Sequence, residues 1–166
     1  MGTYFGDKKI SQMYYGDKKI KEAYYGSRLV YQSVRSVYKE VSDVWTGTWH
    51  IKNENQWYTP TSDVIPMIRI GPYGTENFSM IVTATIPRAW GFWELRLNAG
   101  SQILAQVTRE GSSGLIIDKT LTHTIDAYNV SLPPNALVTF SARRWSNNGR
   151  EGITKLDYGA TWTQLE

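Results

Sequence analysis

Between Tyr4 and Tyr31 one decapeptide is written three times, and no other feature of the chain restricts its possible folds as much. The copies run Tyr4-Phe5-Gly6-Asp7-Lys8-Lys9-Ile10, Tyr14-Tyr15-Gly16-Asp17-Lys18-Lys19-Ile20 and Tyr24-Tyr25-Gly26-Ser27-Arg28-Leu29-Val30. Each has an aromatic pair, a glycine, a short polar residue, a cation and a branched aliphatic. A Gly-Asp or Gly-Ser dipeptide between strand-forming runs marks a tight hairpin, because glycine takes the positive φ of the first position in a type II′ turn. Regularly spaced glycines also forbid a continuous helix. The repeat therefore predicts a small antiparallel meander.

Such a ribbon cannot bury a face alone, since an isolated two- or three-stranded sheet of this size is marginal in water. Its tyrosines suit an interface, because a phenol joins apolar area to a hydroxyl that tolerates a wet rim. Tyr4, Tyr14, Tyr15, Tyr24 and Tyr25 are accordingly the candidate docking residues.

The repeat resembles the N-terminal block of minor tail proteins of bacteriophages that infect Gram-positive bacteria. There, runs like Tyr14-Tyr15-Gly16-Asp17-Lys18-Lys19-Ile20-Lys21-Glu22-Ala23-Tyr24-Tyr25-Gly26-Ser27 precede a variable domain. The resemblance covers residues 4–31. It implies a virion component that is assembled in the host cytoplasm, joins other tail proteins and is exposed outside the cell.

At 166 residues, 41% apolar and 20% charged, the chain has globular composition, with room for one ordinary domain and an appendage. No apolar run reaches membrane-span length, and the N-terminus lacks a secretory pattern, so no membrane role is expected. The absence of cysteine excludes disulfides and thiolate metal sites. Residues 1–41 carry eight Lys and Arg against four Asp and Glu, whereas residues 42–166 carry ten against eleven. The basic residues follow each turn glycine, a pattern of solvated hairpin tips that gives no stripe for nucleic acid.

After the repeat, valines 30, 34, 37, 41 and 44 are spaced four, three, four and three, as in a heptad seam. Residues 32–44 are thus a linker, either extended or a short coiled-coil stalk, with Val34, Val37 and Val41 as candidate oligomer contacts. Branched residues at both seam positions favour three strands, so a homotrimer is expected.

From residue 45 to residue 166 the chain reads as all-β. Strands are expected at 45–52, 67–70, 77–86, 92–98, 101–109, 115–125, 136–144 and 159–165. Turn clusters such as Asn98-Ala99-Gly100-Ser101 and Pro133-Pro134-Asn135 separate them. That rhythm predicts a β-sandwich or jelly roll. The segments Glu94–Asn98, Leu132–Phe140 and Ala160–Leu165 also resemble the jelly rolls of the complement and tumour-necrosis-factor type, which implies a trimer as well.

Residues for catalysis are sparse. His50 and His123 have no second ligand at metal spacing and no nucleophile elbow beside them, and the domain's carboxylates are scattered singly. No enzyme, cofactor or metal site is expected, although a carboxylate pair assembled by folding would make a small polysaccharide hydrolase. Tryptophan is the unusual residue, with seven copies. Trp45, Trp49, Trp93 and Trp162 have the parity of core positions, whereas Trp57, Trp90 and Trp145 fall in or beside turns. Indoles stack on the apolar faces of sugar rings, so Trp57, Tyr58, Arg88, Trp90, Arg144 and Trp145 are the candidate ligand residues for a host cell-wall saccharide. A capsid or tail decoration protein without a ligand has the same rhythm.

Overall fold

The computed structural model describes residues 4–5, 8–9, 13–15, 18–20, 22–25, 28–32, 36–51, 55–61, 64–65, 67–87, 92–110, 120–145 and 152–165. The chain divides into two compact units, Met1–Ser36 and Val37–Leu165.

The first unit holds three antiparallel pairs: β1 (Tyr4–Phe5) with β2 (Lys8–Lys9), β3 (Met13–Tyr15) with β4 (Lys18–Ile20), and β5 (Glu22–Tyr25) with β6 (Arg28–Gln32). Phe5 faces Lys8, Tyr15 faces Lys18 and Tyr25 faces Arg28, so two residues separate the strands of each pair, at the Gly-Asp or Gly-Ser dipeptide. Among the described residues the pairs are separate two-stranded sheets and not one meander. Closing a two-residue loop is the least costly contact each copy can make, and it pairs each decapeptide with itself. The candidate docking tyrosines all lie on these strands, but their side chains, like Val34, lie outside the described residues.

The second unit contains β7 (Ser36–His50), β8 (Ile68–Arg69), β9 (Thr75–Ile86), β10 (Phe92–Ala99), β11 (Gln102–Glu110), β12 (Leu121–Leu132), β13 (Leu137–Arg144) and β14 (Gly152–Leu165). They form two four-stranded sheets, in the orders β12-β9-β14-β7 and β11-β10-β13-β8. The neighbours β7·β14, β8·β13, β9·β12 and β10·β11 are the rungs of one long hairpin ribbon that turns at Gly100. Rolling that ribbon brings β13 beside β10 and β14 beside β9. This winding is that of a jelly roll. The all-β sandwich expected from the sequence is what the chain forms.

Alternation fills the space between the sheets. Phe78, Met80, Val82, Ala84 and Ile86 of β9 are buried, as are Trp93, Leu95 and Leu97 of β10 and Val138, Phe140 and Ala142 of β13. Trp45, Trp49 and Trp162 pack against this core, and the rings of Trp49 and Phe140 meet 6.0 Å apart across the sandwich. Gly71 closes one end: its N–H donates to Gln164 Oε1 at 3.1 Å, and a Cβ there would collide with the Gln164 amide.

Residues 36–44 correct the expectation of a helical stalk. They are the first part of β7, a 15-residue strand. In a strand the side-chain period is two, so Val37 and Val41 share a half-buried face while Val44 falls on the other and is 47% exposed. The valine spacing is therefore no seam. β-branched residues fit the pleated surface better than a helix, and β14 supplies a partner strand. β12 also extends to Leu132, past the expected end at Ile125, because a register shift between Ala127 and Val130 accommodates Asn129 at φ 49°.

A candidate saccharide-binding face

Strands β10, β11 and β13 present one polar face away from the core. On β10 the outward residues are Phe92, Glu94, Arg96 and Asn98, since Trp93, Leu95 and Leu97 point inward. Across the register, Glu94 stands opposite Arg143 and Thr108, and Arg96 stands opposite Ser141 and Gln106. Residues 55–59 extend the sheet beside β13, where Tyr58 bridges Ala142 in both backbone directions at 2.9 Å and Thr59 Oγ1 shares a hydrogen bond with Ser141 Oγ. That placement puts Trp57 on the outward face beside Arg143.

Glu94 anchors the cluster. Its Oε2 accepts from Arg143 Nε at 2.6 Å and from the Trp145 indole at 2.9 Å, and it forms an ion pair with Arg143 Nη2. Its Oε1 accepts from Thr108 Oγ1 at 3.3 Å and Gln106 Nε2 at 3.4 Å. Burial opposes ionisation of this carboxyl, but the hydrogen bonds from Trp145 and Arg143, the Arg143 charge and the Thr108 hydroxyl together outweigh it. Its pKa is held below the usual carboxylate value.

Guanidinium and indole planes make up the rest. Arg96 Cζ lies 3.9 Å from the centroid of the Trp57 ring, and Arg143 Cζ lies 4.6 Å from Trp57 and 4.7 Å from Trp145. Arg143 thus bridges two indoles. Beyond it, Trp145 donates its backbone N–H to Phe92 O at 2.9 Å, and these two aromatics remain 45% and 48% exposed. The result is an open apolar shelf bordered by fixed polar groups, an arrangement able to stack a ring and hold its hydroxyls.

Of the candidate ligand residues, Trp57 and Trp145 are brought together here. Tyr58 and Arg144 are not. Each is the strand neighbour of a face residue, so period two turns it the other way: Tyr58 packs against the core, and Arg144 is only 4% exposed. Arg88 and Trp90 lie outside the described residues. Glu94, Arg96, Gln106 and Arg143 were absent from the candidates. The alternation of Leu137-Val138-Thr139-Phe140-Ser141-Ala142, continued by two residues, assigns Arg143 to the polar side and Arg144 to the apolar side.

The opposite sheet carries a different surface. On its outer face a groove of about 230 Å³ is lined in part by Val41, Ile81, Tyr128 and Gly159. Among the described residues, no three His, Asp or Glu side chains gather as metal ligands. No family model matches the chain, and comparison with curated proteins finds no match.

Proposed function

We propose that this chain is a structural protein of a bacteriophage virion, a minor tail or tail-tip protein, which docks through its N-terminal hairpins and presents the β-sandwich outward to bind a host-surface saccharide. The single observation that carries the binding half is the outward cluster of Trp57, Arg143, Trp145 and Phe92, anchored by Glu94. A face needed only for solubility has no use for an exposed indole braced by a nearly buried carboxylate. The docking half is supported by the resemblance of the repeat and by three separate hairpins, each too small to be stable without a partner.

A homotrimer belongs to this reading on new ground. The valine spacing gives it no support, since residues 37–44 are strand. Support comes from the outer face of the β12-β9-β14-β7 sheet, where Ile81 and Tyr128, 41% and 64% exposed, line the groove and Tyr38 of β7 is 64% exposed. Burying these residues against a second copy removes apolar area that a monomer leaves in water.

The test is sedimentation of the purified chain with host cell walls, compared with Trp57→Ala and Trp145→Ala. Retention of wild type and loss of both variants, without release of reducing ends, is the expected result. Wild type that stays in the supernatant makes the protein a decoration protein, and release of sugar makes it an enzyme.

A further inference from the structure

We infer that the ligand of this face is an acidic saccharide and that Arg96 binds its carboxylate or phosphate group. The inference rests on the saccharide reading above and adds the charge of the ligand to it.

The first argument is charge. Arg69, exposed on β8 opposite Leu137, and Arg96 and Arg143 all point outward from this sheet. Among the described side chains of the face, Glu94 is the only carboxylate, and both its oxygens are occupied by Arg143, Trp145, Gln106 and Thr108. Glu110 stands opposite Phe92, four residues along the strand from Arg96, which is about 13 Å at ordinary strand rise. The charge of Arg96 is therefore left without a carboxylate partner among the described residues.

The second argument is pre-organisation. Arg96 Nε donates to Gln106 Oε1 at 2.9 Å while Gln106 Nε2 donates to Glu94, so one amide relays the position of the carboxylate to the guanidinium. The Trp57 ring supports the guanidinium plane at 3.9 Å. With Nε held and the plane supported, the two terminal amino groups remain to bind. A guanidinium fixed this way offers parallel N–H groups that match a carboxylate or phosphate, and little side-chain entropy is left to lose on binding. The neighbouring Trp145 indole, exposed beside Phe92, suits the sugar ring that carries the anion.

The full-length protein is tested by surface binding to three polymers with one backbone: dextran, carboxymethyl dextran and dextran phosphate. Wild type is expected to prefer one acidic polymer over dextran by about tenfold or more, as charge-assisted hydrogen bonds allow. Which acidic polymer wins distinguishes carboxylate from phosphate. Arg96→Gln should bring the preferred polymer down to the dextran level, whereas Arg96→Lys, which keeps the charge and loses the fork, should retain part of the preference. Circular dichroism and melting of both variants check that the sandwich is intact. Equal binding of all three polymers by wild type, or an unchanged preference in folded Arg96→Gln, overturns the inference and leaves the saccharide reading standing. Binding to none of the three overturns the inference too, and the sedimentation with host cell walls decides the saccharide reading separately.

Discussion

Glu94 and Arg143 face each other across β10 and β13, joined by an Arg143 Nε to Glu94 Oε2 hydrogen bond of 2.6 Å. The pair is nearly buried on an otherwise solvent-facing sheet surface, with side-chain exposures of 10% and 20%. A charge pair so placed stabilises only while both members are ionised and hydrogen-bonded. The carboxylate also holds the Trp145 indole, so the pair controls the shape of the whole face.

Replacement of Glu94 tests that control. Because its folded pKa lies below the unfolded value, the contribution of Glu94 is fully present above the unfolded pKa and is lost as pH falls through the folded one. Glu94→Gln should lower unfolding free energy at pH 7 by about 1.5–3 kcal/mol, the usual range for hydrogen bonds to a charged group. The gap should narrow as pH falls from the ordinary glutamate pKa through the lower folded one, because only there does the wild-type carboxyl become protonated. Urea unfolding of both proteins across that range measures it, and a pH-independent gap contradicts the assignment.

Tryptophans on opposite faces should separate stability from binding. Trp93 is 1% exposed, so Trp93→Ala should cost about 3–5 kcal/mol. Trp145 is 45% exposed, so Trp145→Ala should cost much less while abolishing retention on cell walls. Thermal melts alongside the sedimentation assay separate the two outcomes.

Removal of residues 1–30 should leave a folded sandwich, since the second unit begins at Val37 and keeps all of its core. Circular dichroism of the truncated chain should retain its β signal, and incorporation into particles should fail. Normal incorporation rules out docking through the hairpins.

Charge placed on the outer β12-β9-β14-β7 face tests assembly. Ile81→Asp and Tyr128→Asp alter exposed residues and should leave the fold intact while converting a trimer to monomer in light scattering. A wild-type monomer, or a trimer that tolerates both changes, removes this face from the assembly.

Local chemistry made much of the fold legible. Alternation in Phe92-Trp93-Glu94-Leu95-Arg96-Leu97 identifies a strand and its two faces, because the side-chain period belongs to the backbone and needs no neighbour. The Gly-Asp and Gly-Ser dipeptides likewise locate hairpins, since turn conformation is a property of two residues. Val37, Val41 and Val44 show where such reasoning stops. Their four-three spacing fits a helical seam, but the pairing of β7 with β14 decides for a strand, and whether a partner strand is present is a tertiary fact. The candidate site divides the same way. Indoles beside turns pointed to Trp57 and Trp145, whereas the meeting of Arg96 with Trp57 and of Glu94 with Arg143 depends on register between distant strands. Register comes from how the whole ribbon rolls to bury its apolar face, so no local stretch of the sequence encodes it.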